Sequence, residues 1–213
     1  MKIALITDTH FGARNDNLSF NDYFFDFYDN QFFPYLRENN ITDVVHLGDV
    51  MDRRKYVSYR ISKDFRERFV NQFNDINLHL LVGNHDTYYK NTSSVNSLQE
   101  LVDGRHKNIT VYDTATEVEF DGFKILFVPW INADNMSRTT EMLTTSNAAV
   151  CMGHSELNGF ETTREIRKQD HATPIVALTA HALPEFKQKA ESQGFNAFLS
   201  KPIKRQDLLD TLF

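Results

Sequence analysis

Asp43-Val44-Val45-His46-Leu47-Gly48-Asp49-Val50-Met51-Asp52 is a short apolar run that breaks off into glycine and acid. An apolar run of this length, bounded by such a break, reads as a buried strand. The strand is expected over Asp43 to Leu47, with His46 as a packed histidine. The same design recurs on both sides. Ile3 to Thr7 leads into Asp8-Thr9-His10, Leu78 to Val82 into Gly83-Asn84-His85-Asp86, and Ala148 to Met152 into Gly153-His154. Between the strands, Asn21 to Asn39 carries Phe24, Phe27, Tyr28, Phe32, Tyr35 and Leu36 at helical spacing, with a bend expected near Pro34. Tyr59 to Phe73 reads as a charged amphipathic helix, and Met136 to Leu143 as another. Alternating strands and helices predict an α/β fold with parallel strands. Asp121-Gly122, between Thr116 to Phe120 and Lys124 to Val128, is a hairpin signal. The expectation is therefore a mixed sheet with helices on both faces.

The four polar clusters each follow a strand, and in open α/β sheets ligands bind outside the carboxyl ends of strands. Carboxylate, imidazole and amide oxygen suit Mn, Fe or Zn dications. Two dications about 4 Å apart clamp a phosphate and generate a hydroxide for in-line attack. The bridging carboxylate expected of such a pair is Asp49. Asp8 and His10, two residues apart, both reach one metal from a turn, while Asn84 and His154 serve the second. His85 is then left to stabilise or protonate the leaving oxygen. Asp52 and Asp86 read as supporting or capping groups. Arg53, Arg54 and Lys55 are candidate contacts to a phosphate or DNA backbone, or a solvated charged turn. Trp130 reads as core packing rather than a base-stacking ring.

Composition narrows the class. The net charge of -6 argues against a broad DNA-coating surface but leaves room for a local phosphate site. The 18 phenylalanines read as core filling. Cys151 is the single cysteine, so a disulfide within the chain is impossible and a reducing, cytoplasmic setting is expected. The apolar stretch at the N-terminus is too short for a signal peptide. No run approaches the roughly 20 apolar residues of a membrane span.

Asp8-x-His10, Gly48-Asp49-x-x-Asp52, Gly83-Asn84-His85-Asp86 and Gly153-His154, in this order, resemble the calcineurin-like metallophosphoesterases. More narrowly they are similar to the SbcD-like double-strand-break repair nucleases of phage and bacteria, as are Val128-Pro129-Trp130 and Gly153-His154-Ser155-Glu156-Leu157-Asn158-Gly159-Phe160. The resemblance covers residues 1–160. It implies a Mn-preferring, two-metal exonuclease or endonuclease acting on DNA with an ATPase partner subunit. It also implies a later Gly-His-x-His motif giving one histidine to each metal. After His154 this sequence has only His171 and His181, neither in such a motif. The family's DNA-capping region and partner-binding tail are not found either. Weaker metal binding and impaired catalysis are expected.

Residues 158–213 resemble a different family, the C-terminal half of a response-regulator receiver domain. The matching pieces are Asn158-Gly159-Phe160-Glu161, Thr163-Arg164-Glu165-Ile166-Arg167, Thr173-Pro174-Ile175-Val176-Ala177-Leu178-Thr179-Ala180 and Ser200-Lys201-Pro202-Ile203. The resemblance implies that Thr179 and Lys201 contact a phosphoryl group. The receiver's acidic pair and phosphoacceptor aspartate are missing, and the acceptor position falls at or beside Cys151. Helices are expected over Thr162 to Lys168, Pro184 to Gln193 and Gln206 to Leu212, with strands over Pro174 to Thr179 and Ala197 to Ser200. The expected organisation is a truncated phosphoesterase part (1–160) and a receiver half (161–213) that extends the same sheet. The pattern implies a chimera joined at matching strand–loop–helix positions. A receiver-like signalling module and a chimera without evolved function are the alternatives to a nuclease.

Overall fold

The computed structural model describes residues 2–102, 104–154, 163–164, 167–168, 175–179, 188 and 191–200. The apolar runs become strands: β1 (Ile3–Ile6), β2 (Asp43–His46), β3 (Asn77–Leu81) and β4 (Ile109–Tyr112) lie parallel in that order. Strand side chains alternate between faces. Val44, Leu78 and Leu80 accordingly join one core cluster, while Val45 and Leu81 join another.

Helices cover the first face. After a short turn, α1 (Ala13–Asp16), come α2 (Leu18–Phe27), a π-helical turn (Tyr28–Phe32) and α3 (Phe33–Glu38). The π turn sits just before Pro34, whose ring and missing N–H disrupt regular helix bonding; the Phe33 N–H reaches Tyr28 O, five residues back. The second segment, α4 (Tyr59–Asp64), continues through a π turn (Phe65–Phe69) and a 3₁₀ turn (Val70–Phe73). Side-chain caps start both segments: Asn17 Oδ1 accepts from Phe20 N at 2.9 Å and Ser58 Oγ from Ile61 N at 3.3 Å. Phenylalanines fill the space beneath. Ring centroids lie 5.0 Å apart for Phe11–Phe65, 5.1 Å for Phe69–Phe73 and 5.2 Å for Phe33–Phe73.

A second sheet packs on the other face. It contains β5 (Thr116–Phe120), β6 (Phe123–Val128) and β7 (Val150–Gly153), with β5–β6 antiparallel and β6–β7 parallel. Asp121 (φ 50°) and Gly122 (φ 81°) make the expected hairpin turn. The strands thus divide between two sheets, and β6, apolar on both sides, explains why. Ile125 and Phe127 pack with Val45, Leu47 and Leu81 between the sheets; Leu126 and Val128 face outward against Met142 and Leu143 of α6 (Met136–Thr145). Two short elements, α5 (Ser97–Val102) and β4, carry too little pattern to be read from sequence.

Further along, β8 (Val176–Thr179) and β9 (Ala197–Ser200) pair in parallel as a two-stranded sheet. The three helices expected after residue 160 fall wholly or partly outside the described residues. Among the described residues, no helix is long and apolar enough to cross a membrane.

The phenylalanine layer predicts a sharp contrast. Phe69→Ala, at a ring with no exposed surface, should cost about 3–5 kcal/mol in urea unfolding. Tyr59→Ala, at a side chain 97% exposed, should stay within about 0.5 kcal/mol of the parent.

Candidate metal centre

The loops after β1 and β2 continue the pairing of their strands. Asp8 N donates to Gly48 O at 3.1 Å, His10 N to Asp49 O at 3.1 Å and Phe11 N to Val50 O at 2.8 Å. The second sheet joins the same rim, with Trp130 N donating to Val82 O at 2.8 Å and His154 N to Val128 O at 2.9 Å. All four polar clusters therefore meet at one end of the two sheets. Asp8 (φ 54°), His10 (φ 44°) and Asp49 (φ 56°) are left-handed. Such backbone costs of order 1–3 kcal/mol per residue and gathers at functional sites.

The structure brings Asp8, His10, Asp49, Asn84 and His154 together. Ligand atoms of Asp8, His10 and Asp49 lie within 4.8 Å of one another. His10 Nε2 is 3.9 Å from both Asp8 Oδ1 and Asp49 Oδ2. On the other side, Asp49 Oδ1 is 3.3 Å from His154 Nε2, which is 2.9 Å from Asn84 Oδ1. One carboxylate thus faces two groups of donors. His154 Nδ1 lies 2.9 Å from Leu47 O. It must donate there, so in the neutral ring Nε2 carries a lone pair. Three electron-rich atoms then face each other, an arrangement that needs positive charge among them.

The local electrostatics follow from that crowding. Burial disfavours the charged forms of both Asp49 and His154, but the hydrogen bond and attraction between them win. The Asp49 carboxyl is held below its ordinary range and the His154 imidazole above its own. A proton on Nε2 thus supplies the charge that a dication would supply, and the donor set fits a divalent metal. The other ring nitrogen, His10 Nδ1, is buried without a hydrogen-bond partner, 3.7 Å from the Asp52 carboxylate.

Two glycines permit the approach. A Cβ at Gly48, where φ is 106°, would stand 2.7 Å from the His154 ring. A Cβ at Gly83 would collide with the backbone N and Oδ1 of Asp49.

Around these groups lies a supporting layer. Asp86 is fully buried and ties two loops together, accepting from Met51 N at 2.9 Å and Gly83 N at 2.8 Å. Burial pushes its carboxyl up to about 6, against the pull of those N–H groups. Asp52 acts here through its backbone: its carbonyl accepts from His85 Nδ1 at 2.6 Å, while its carboxylate lies 3.7 Å from His10 Nδ1. His85 Nε2 is thereby the ring's other, non-donating nitrogen in the neutral form, and His85 N donates to Asp49 Oδ1 at 2.9 Å.

His46 proves to be more than packing. Gly48 N donates to its Nδ1 at 3.2 Å, so the neutral ring's Nε2–H donates to Thr9 Oγ1 at 3.0 Å, and Thr9 Oγ1–H to Val50 O at 3.2 Å. Burial lowers the imidazole to about 3, which keeps this chain of bonds in one direction. The relay links the loops that hold Asp8, His10 and Asp49. Its sequence signal was a polar residue inside an apolar strand, since buried polar groups need partners.

Other expected contacts lie elsewhere. Arg53 pairs with Asp16, Arg54 Nη1 donates to Thr87 Oγ1 at 3.1 Å, and Lys55 Nζ sits 5.7 Å from the Tyr88 ring centroid. They flank the centre. Thr179 ends β8 opposite Ser200 of β9. Lys201 lies outside the described residues.

The sequence pattern of the calcineurin-like phosphoesterase superfamily domain matches residues 1–168, and that of the response regulator receiver domain matches residues 133–213. The two overlap over residues 133–168. The chain is 37% identical over 162 residues to exonuclease subunit 1 of Enterobacteria phage T4, covering 75% of this chain and 47% of that protein. It is 47% identical over 58 residues to the autoinducer 2 sensor kinase/phosphatase LuxQ of Vibrio vulnificus, covering 27% of this chain and 7% of that protein. It is 39% identical over 61 residues to histidine kinase 1 of Arabidopsis thaliana, covering 27% and 5%. The chain thus spans about half the length of the phage relative.

The relay predicts that His46→Phe, which keeps the volume but removes both hydrogen bonds, lowers Mn²⁺ affinity about 10- to 100-fold. Isothermal titration of the parent and variant checks this, alongside urea unfolding to confirm that the variant remains cooperative.

Proposed function

The chain belongs to the calcineurin-like phosphoesterase superfamily, and we propose that it is a Mn-dependent phosphodiesterase of the nuclease type, acting on DNA or smaller phosphodiesters. The observation that carries the proposal is the Asp49 carboxylate, one oxygen of which faces His10 while the other faces His154. Asp8, His10 and Asp49 would hold one dication; Asp49, Asn84 and His154 would hold the second. When bound, such a pair supplies Lewis-acid polarisation of the phosphate and a hydroxide nucleophile.

The remaining steps belong to the chain's own groups. His85 is fixed through Nδ1 by the Asp52 carbonyl; as the doubly protonated imidazolium it would donate the Nε2 proton to the departing oxygen and return to the neutral ring. Asp86 and the His46 relay hold the loops in place, and Trp130 N ties the two sheets together at the rim. Between His154 and Phe213 no Gly-His-x-His motif occurs, so within these residues the metals would be held by fewer histidines and turnover would be slow.

Likeness to a phage exonuclease subunit supports a partner subunit; an ATPase as that partner, and a role in recombination or double-strand-break repair, follow from the resemblance to the SbcD-like nucleases. The lone cysteine supports a cytoplasmic setting. We place the join between the phosphoesterase part (1–160) and the receiver half (161–213) inside Asn158-Gly159-Phe160, within the overlap of the two family patterns. A second reading, a receiver-type signalling module, rests on the pattern over residues 133–213. Cys151 weighs against it. Its thiol is pushed up by burial to about 12 where a carboxylate would have to accept phosphate.

Hydrolysis of bis(p-nitrophenyl) phosphate by the parent chain should require Mn²⁺ and vanish in Asp49→Ala. His85→Ala should lower kcat about 10²- to 10⁴-fold while leaving the Mn²⁺ titration unchanged. Absence of turnover in the parent at saturating Mn²⁺ would overturn the proposal.

A further inference from the structure

Two loops beside the metal centre carry basic and aromatic side chains close together: Arg53-Arg54-Lys55-Tyr56 after β2 and Tyr88-Tyr89 after β3. Both are tied to the centre. Arg54 Nη1 donates to Thr87 Oγ1 at 3.1 Å, and Thr87 lies 3.0 Å from the Asn84 carbonyl it donates to. The Asp52 carbonyl holds His85. Arg54 also lies over the buried Trp130, 5.1 Å from its ring centroid, so this ring forms the floor beneath the loops.

Above that floor the tyrosines are open. Tyr56, Tyr88 and Tyr89 are 60%, 39% and 49% exposed. Grouped exposed aromatics mark an interaction surface, unlike single ones. A cation holds two of the rings. Arg53 lies 4.5 Å from the centroid of Tyr56, and Lys55 lies 5.7 Å from that of Tyr88. Tyr88 and Tyr89 meet edge to face with centroids 4.8 Å apart.

We infer that this ridge is a stacking platform for unpaired bases of a nucleic-acid strand whose backbone runs on into the metal centre. The inference rests on the phosphodiesterase reading and adds to it a base-binding surface. Cations beside π faces suit a single strand, in which phosphates alternate with stackable bases irrespective of sequence. The ridge gathers Arg53, Arg54 and Lys55, of which Arg53 pairs with Asp16. The local excess of cations complements the phosphates of a strand.

The test uses the full chain in EDTA, where binding is read without hydrolysis. Its probe is a fluorescein-labelled oligothymidylate of about ten nucleotides, followed by anisotropy. Tyr56→Ala and Tyr88→Ala should each weaken binding about tenfold, whereas Tyr56→Phe and Tyr88→Phe, which keep the ring face, should bind as the parent does. An abasic strand of equal length should bind more weakly and ignore all four substitutions. Mn-dependent hydrolysis of bis(p-nitrophenyl) phosphate, measured separately, should be unchanged in them. Parent binding no tighter to oligothymidylate than to the abasic strand, with the diester still hydrolysed, would overturn the platform and leave the phosphodiesterase reading standing. Tyrosine-dependent binding without diester hydrolysis would do the reverse. Self-association in sedimentation that Tyr88→Ala abolishes, with no oligonucleotide binding, would assign the ridge to a second copy and overturn the inference.

Discussion

Asp49 Oδ1, His154 Nε2 and Asn84 Oδ1 crowd together at the rim of the two sheets, and their mutual repulsion is the constraint around which this end of the molecule is built. With His154 Nδ1 committed to the Leu47 carbonyl, the facing nitrogen has nothing to donate in the neutral ring. A proton or a dication must sit among the three. The glycines at 48 and 83, the left-handed Asp8, His10 and Asp49, and the fully buried Asp86 all serve to hold that unfavourable geometry.

Such geometry persists only where the surroundings over-determine it. Here the surroundings are two sheets packed face to face, with a phenylalanine-rich helical layer behind the first. The Trp130 N to Val82 O bond joins the sheets at the rim. Through it, the end of β7 brings His154 to ligands carried by the first sheet. The second sheet is thus part of the centre as well as part of the core.

The polar clusters were legible because each follows an apolar run, and Asp49 stood out as the carboxylate central to them. The hairpin was legible because Asp121-Gly122 supports positive φ at both positions. The division into two sheets was not. The runs Ile125 to Val128 and Val44 to Leu47 show burial on both faces but not what covers each face. Four-residue β4 and six-residue α5 give too few periods to register. The carbonyls of Leu47 and Asp52, which orient His154 and His85, carry no side-chain signature. His46 was visible as a polar residue in an apolar strand, but its partner Thr9 lies 37 positions away. The exposed tyrosines beside the centre were equally silent, since only folding sets Lys55 against Tyr88.

Anomalous scattering from a crystal of the chain grown with saturating Mn²⁺ tests the central claim most directly. Two peaks about 4 Å apart, with Asp49 between them, Asp8 and His10 on one side and Asn84 and His154 on the other, are the predicted result. A rim without anomalous density, with Asp49 and His154 still paired to each other, would contradict it.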